Sequence, residues 1–384
     1  MNNISSEKDS PNSLKLGFIG GGVSSAIGPS HFAACELDRR WSVVSGAFSS
    51  DKRVNLSTAK NWQIAEERVF SHWQDMIKYE ANKIDAVAVL LPTPDHCDVI
   101  LELVRKGLPV ICEKPLVEKL GDATKIKAEI DKTNGFLAVT YNYSAYPMIR
   151  ELKERIKIGD LGKIKKIKIE MPQEVFLRKN PETGEQLVTQ GWRLRDGEIP
   201  TICHDLGAHL YHLTRFLMGK IPLRVAGRFS NHSNYQGLVD DIVMWVDFED
   251  GLAADFWMSK SALGNRNGLK LRIFGSEASA EWIQTEPEYL MMAYANGERF
   301  VIDRGSKLII AGENRYNRYK AGHPAGFIEA FANLYYDIAD SLIEYRKNGS
   351  CNNQFVFGIE HSLESLNLFD GLVKANKSGS WVEL

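Results

Sequence analysis

The sequence predicts two domains: a doubly wound α/β domain with a parallel sheet, then an α+β domain built on a large open, mainly antiparallel sheet. Three observations carry this. The chain has 384 residues, more than one ordinary core uses. From Leu14 to about Tyr143, short apolar runs alternate with longer amphipathic ones, as when helices cover both faces of a parallel sheet. Beyond that stretch, strand-like runs follow one another with only turns between them. The expected division is a disordered tail over 1–13, a first domain over 14–145 and a second over 146–384.

In the first domain LKLGFIG, WSVVSGAF, AVAVLLP, LPVICEKP and FLAVTYNY read as strands, and HCDVILELVRKG and DATKIKAEIDKTNG as helices. The glycines of VRKGLP and DKTNGF stand where each helix should stop. PMIRELKERIKIG opens the second domain as a helix. Then IKKIKIEM, PLRVAGRF, DDIVMWVDFED, GLAADFWMSK, LKLRIFGS, SAEWIQ and RFVIDRG read as strands. Asp250-Gly251 is the expected turn of a hairpin. Two helical segments accompany these strands, HDLGAHLYHLTRFLMG and AGFIEAFANLYYDIADSLIEYRK.

Composition narrows the function. A net charge of −2 gives no electrostatic footing for nucleic acid or an anionic membrane. The lysines of GKIKKIKIE alternate with isoleucines and read as the wet face of a strand. No apolar run reaches the roughly 20 residues that span a bilayer. The five scattered cysteines form no CxxC pair, as expected of reduced thiols in a cytoplasmic protein.

Four segments of the first domain bear chemistry. GFIGGGVSSAIG follows the first strand, and Gly20, Gly22 and Ser25 occupy the positions of a G-x-G-x-x-G/A loop. Such a loop needs glycine because a pyrophosphate must approach bare backbone at a helix N-terminus. The second strand ends in Ser49-Ser50-Asp51-Lys52-Arg53: a serine in the place of the usual acid, with basic residues beside it, leaves NAD and NADP both open. Pro92-Thr93-Pro94 and Glu113-Lys114-Pro115 each follow a buried strand, where a doubly wound sheet opens toward its ligand.

In the second domain Asp205 and His209 are spaced to share one helix face, and an imidazole beside a carboxylate can carry a proton. An Asp-His pair that ties a helix to its neighbours is the structural alternative. Asp205, His209 and His212 have no further cluster or cysteine partner to complete a metal site, so none is expected.

Taken together these segments resemble the Gfo/Idh/MocA family, named for glucose-fructose oxidoreductase and inositol dehydrogenase. The likeness runs through GFIGGGVSSAIG, LLPTPDHCDV, CEKPL, YNYSAYP and HDLGAHLYHLTRFLMG. GAFSSD and GHPAGFIEAFANLYY are similar to one branch of it. The sequence departs from the family at Ser24, where that branch has glycine, and in its strand-end motif, where His96 comes early and Asp98 holds the last place.

The resemblance implies a Rossmann domain for NAD or NADP, and hydride transfer to or from a hydroxyl-bearing carbon of a sugar, inositol or related polyol. It implies Lys114, Asp205 and His209 as the catalytic group, with His209 as general base. Cofactor contacts would come from Gly20, Gly22, Val23, Ser24, Ser49, Ser50, Arg53, Pro92, Thr93, Pro94, His96, Glu113, Lys114 and Asn142. Tyr143, Trp192 and Arg193 would join the catalytic group near the substrate, and a homodimer or homotetramer would form through the second domain's sheet. Two other functions fit the same residues: a glycosidase with tightly held NAD, and a non-catalytic nucleotide sensor.

Overall fold

The computed structural model describes residues 13–186 and 191–384; the expected tail, Ser13 excepted, lies outside the described residues. Ser13 Oγ hydrogen-bonds Ser42 Oγ at 2.9 Å. The chain forms two compact units, one of residues 1–142 with 327–360, the other of 143–326 with 361–384.

The first unit opens with β1 (Leu14–Gly20), α1 (Gly28–Asp38), β2 (Trp41–Ala47), α2 (Lys52–Trp62) and α3 (Trp73–Glu80). It continues through β3 (Ala86–Leu90), α4 (His96–Arg105), β4 (Val110–Cys112), α5 (Leu120–Thr133) and β5 (Leu137–Val139). The five strands are parallel, in the order β2-β1-β3-β4-β5. Every residue of β3 and β4 is buried, as continuous apolar runs covered on both faces require. The strand order reverses between β1 and β3, and ligands of doubly wound folds bind at such a point. Gly107 ends α4 at φ 69°, as expected; after α5 the left-handed residue is Asn134 (φ 51°), not Gly135. Asparagine tolerates that conformation because its short polar side chain adds little steric cost.

The second unit holds α6 (Pro147–Lys157), β6 (Ile164–Pro172), α7 (Ala208–Met218), β7 (Pro222–Ser230), β8 (Asp241–Phe248) and β9 (Ala253–Ser259). β10 (Lys270–Gly275), β11 (Ala278–Ile283), β12 (Leu290–Tyr294) and β13 (Arg299–Ile302) follow. After α8 (Phe327–Asn348) come α9 (Glu360–Ser378) and β14 (Val382–Glu383). The nine-stranded sheet runs β13-β12-β11-β10-β6-β9-β8-β7-β14. It is antiparallel except where β6 pairs β9 in parallel. Asp250 (φ 57°) and Gly251 (φ 74°) make the β8–β9 turn, the positive pair of a hairpin. Lys166 and Lys168 stand on the wet face of β6, both reaching Asp255.

Two helical assignments change. α8, placed by sequence in the second domain, packs in the first unit: Trp41 Nε1 donates to Tyr335 O (2.8 Å) and Arg40 pairs with Asp340. A linear division cannot anticipate a chain that returns. α9 was not expected at all, because its glycine and many polar residues weaken the apolar stripe that marks a helix.

α9 meets α7 through a histidine pair, with Nδ1 of His212 and of His361 2.9 Å apart. Burial holds His361 down, to about 4 from 6.5, and burial with neighbouring His361, His209 and Lys153 holds His212 well below its ordinary value. Lowered folded-state values mean that protons bind the unfolded chain first. The stability these neutral rings contribute is therefore present above pH 6.5 and is lost as the pH falls from there toward 4. Each ring contributes up to about 1.4 kcal/mol per pH unit in that window. The melting temperature should fall on acidification from pH 7 to 5, and less steeply in His361→Gln; equal slopes in wild type and variant would contradict the assignment.

Candidate active site

The chain leaves β1 through Gly20 and Gly21, both left-handed at φ 80° and 71°. A Cβ on Gly20 would stand 2.7 Å from Leu90 O, so bare backbone runs against the end of β3. α1 starts only at Gly28, where a Cβ would lie 1.8 Å from Gly21 O. The close-approach position that the sequence pattern gives to Ser25 thus belongs to Gly28. Several bends lengthen the loop, and Ser25 Oγ braces it by accepting from Gly28 N (2.8 Å). Gly22 N donates to Phe48 O (3.2 Å) and Val23 N to Thr58 Oγ1 (3.1 Å), so these two amides tie the loop to the β2–α2 segment. Ser24 is exposed on the same loop.

At the tip of β2, Ser49 Oγ accepts from Asp51 N (3.1 Å) and Ser50 is exposed. Asp51 caps α2 by accepting from Arg53 N (2.8 Å), and the Arg53 guanidinium folds back on it. The side-chain hydrogen bond from Arg53, then its backbone one, holds the Asp51 carboxyl below the usual range. Past β3, Thr93 is buried between exposed Pro92 and Pro94.

Two residues expected at the cofactor are turned inward. His96 Nε2 lies 2.8 Å from Leu91 O and Nδ1 3.0 Å from Leu116 O; burial lowers its pKa, and the neutral ring donates its one N–H to one of these two carbonyls. Glu113 accepts from His31 Nε2 (3.1 Å) and from Thr140 Oγ1, while His31 Nδ1 meets the Tyr335 hydroxyl at 2.8 Å. Burial pushes the Glu113 carboxyl up, but His31, Lys114 and Thr140 outweigh it and the net shift is downward. A buried carboxylate needs donors, and His31 and Tyr335, remote in sequence, supply that interior network. Lys114 follows, half-buried, at the end of β4. Asn142, after β5, has its Nδ2 buried with no hydrogen-bond partner. That orphaned donor and the glycine cradle fit a bound dinucleotide.

In the second unit Cys203–Gly207 form a π-helical turn ahead of α7, a wider coil than the regular helix expected for Asp205 and His209. Asp205 Oδ2 accepts from Arg193 Nη1 (2.5 Å) and from Lys260 Nζ. Asp205 thus meets cations from two other segments. His209 is buried and meets the edge of the Tyr143 ring, centroids 4.6 Å apart at 77°. Trp192 lies in a short helical turn; its side chain is outside the described residues.

Sequence reading missed Lys260, Gln173 and Asn267. Buried Lys260 alone carried a signal, directly after the strand-like run AADFWMS. Among the described residues no cluster of His, Cys, Asp or Glu could hold a metal, all five cysteines are free thiols, and no helix is long and apolar enough to cross a membrane.

The glycine assignments can be separated by substitution. Gly28→Ala forces its new methyl into Gly21 O and should weaken NADH binding at least tenfold, whereas Ser25→Ala removes one hydrogen bond of about 1 kcal/mol and should cost severalfold at most. Fluorescence titration with NADH reads both, and equal losses would return the third position to Ser25.

Comparison with known proteins accords with this geometry. Residues 14–141 match the profile of the oxidoreductase family with an NAD-binding Rossmann fold, and residues 149–281 match the Gfo/Idh/MocA C-terminal domain. The Bacillus subtilis uncharacterized oxidoreductase YfiI is 27% identical over 383 residues, 96% of each chain. The scyllo-inositol 2-dehydrogenase (NAD(+)) of the same organism is 24% identical over 247 residues, 62% of this chain and 68% of its own. The crystal structure of an Azotobacter vinelandii inositol dehydrogenase homolog, complexed with NADH and myo-inositol, superposes with a TM-score of 0.87 at 25% identity, covering 97% of this chain and 98% of that one. The chain belongs to the Gfo/Idh/MocA family and is an NAD-dependent oxidoreductase whose residues 14–141 match its NAD-binding Rossmann fold.

Proposed function

We propose that this oxidoreductase acts on a CH–OH carbon of a cyclic polyol or sugar, or on the matching ketone, with Lys114, Asp205 and His209 as its catalytic group. The observation that carries the reading is the surroundings of His209: a buried imidazole against the Tyr143 ring, one turn beyond a carboxylate held by two cations. The inositol dehydrogenases among the relatives support the substrate class. When bound, the nicotinamide supplies the hydride acceptor or donor.

The residues of the chain do the rest. Hydride leaves an alcohol carbon as its hydroxyl proton departs, and His209 takes that proton at a ring nitrogen. Lys114 offers an ammonium to the developing alkoxide oxygen. Asp205, already bonded to Arg193 and Lys260, serves as a fixed anion that orients this end of the helix. The adenosine end of the cofactor would meet Ser49, Ser50 and Arg53, and its pyrophosphate the Gly20–Ser24 loop, in a polyol dehydrogenase of the cytoplasm.

We also propose that a second copy covers the open face of the nine-stranded sheet. Trp245, Phe274 and Val301 are exposed there at 45%, 39% and 63%, more apolar surface than a sheet face left in water normally shows.

Each part has its measurement. Across a panel of inositols, sugars and sugar acids, reduced-cofactor absorbance should rise with at least one polyol; turnover of none would end the reading. On that polyol His209→Ala should lower turnover about a hundred- to ten-thousandfold with NADH affinity near normal. Lys114→Met should likewise cut turnover, and a variant that loses NADH binding yet transfers hydride normally once saturated would make Lys114 a cofactor anchor. Light scattering should give a multiple of the chain mass, reduced by Phe274→Asp with Val301→Asp; a monomeric wild type would contradict the covered face.

A further inference from the structure

The Lys260 ammonium is 4% exposed at the end of β9. Parallel pairing of β6 with β9 carries on past both strands, with Gln173 N donating to Ser259 O (2.7 Å), and this brings Gln173 beside Lys260. Lys260 Nζ donates to Asp205 Oδ2 and to Gln173 Oε1 (2.9 Å). Gln173 Nε2 then donates to Asn267 Oδ1 (3.2 Å), and Asn267 Nδ2 donates to the Tyr143 hydroxyl oxygen (3.0 Å) and to Gln284 Oε1 (2.9 Å). The Tyr143 ring closes the circuit against His209.

The direction of this chain is not arbitrary. An ammonium can only donate, so the oxygen of Gln173 must face Lys260 and its NH2 must face away. The same reasoning passes to Asn267, whose oxygen is taken by Gln173 and whose NH2 is left for Tyr143. A phenol that accepts from Asn267 keeps its own proton for another acceptor.

We propose that Lys260 is a positioning residue that sets the polarity of this chain, so that Tyr143 presents its hydroxyl proton to the polyol substrate beside His209. Lys260 thereby orders both flanks of His209: the carboxylate of Asp205 directly, and the phenol of Tyr143 through two amides. This rests on the reading above that a polyol binds at His209.

Gln173→Glu tests the polarity with one atom. It keeps the size and the acceptor for Lys260, and gives that ammonium another anion. It removes the Nε2 donor, so Asn267 turns its NH2 toward the new carboxylate and its oxygen toward Tyr143 and Gln284, whose own amide turns over to donate to it and to accept from the Tyr146 hydroxyl. The phenol must then donate to Asn267. The expected result is a fall of at least tenfold in kcat/KM for the polyol, carried mainly by KM, with NADH affinity and melting temperature unchanged or the latter raised. In a Tyr143→Phe background Gln173→Glu should add less than twofold. A purely packing or ion-pairing role predicts no loss from Gln173→Glu, or a loss that adds in full to that of Tyr143→Phe; either overturns the proposal.

A second readout needs no substrate. With 13Cζ-labelled tyrosine, the Tyr143 resonance, assigned by its loss in Tyr143→Phe, should shift in Gln173→Glu as the phenol turns from acceptor to donor. An unmoved resonance overturns the relay whatever the activity. A shift together with no polyol turnover by wild type leaves the relay standing and removes the polyol reading.

Discussion

An ammonium taken out of water survives only among oxygens, and Lys260 finds them on Asp205 and Gln173. The arrangement of the second unit's polar interior follows from that requirement. Asp205 is buried because two cations meet it, and its π-helical turn brings it there ahead of the regular α7. Replacing Asp205 alone would strand the Lys260 ammonium, which costs far more than the net worth of the pair. Position and charge state in this region are thus fixed together.

The same rule organises other buried carboxylates. In the first unit Glu113 has His31 and Thr140, which joins the helix after the nucleotide loop to the strand that delivers Lys114. In the second, Glu151 accepts from the amides of Ile309, Ile310 and Ala311 while pairing with Arg155, and Glu288 meets Arg304. Arg304 in turn donates to the carbonyls of Tyr316, Tyr319 and His323. The long connection between β13 and α8, whose regular structure among the described residues is one short helical turn at Asn314–Tyr316, is in this way held by charge rather than by a ladder.

The sequence makes legible whatever depends on local pattern. Continuous apolar β3 and β4, the Asp250-Gly251 hairpin and the alternation of β6 each follow from composition over a few residues. It also places Lys114 at a strand end and His209 on a helix. What it misses is set by distant partners. Glu113 reads as a ligand-facing acid until His31 and Tyr335 arrive from elsewhere in the chain, and His96 likewise until Leu116 O does. Gly28 stands outside the G-x-G-x-x-G/A spacing because the bends from Val23 to Ile27 displace the helix start. Gln173 and Asn267 carry no motif, since an amide acquires a direction only from the groups around it.

The central claim is direct hydride exchange between the nicotinamide and one carbon of a polyol. Reduction of a keto-polyol with NADH deuterated at the transferring position tests it, with the product read by mass spectrometry. The account predicts one deuterium per product molecule on the carbinol carbon, and none incorporated there from D2O when unlabelled NADH is used. Consumption of NADH without label in the product, or label drawn from solvent, would contradict it.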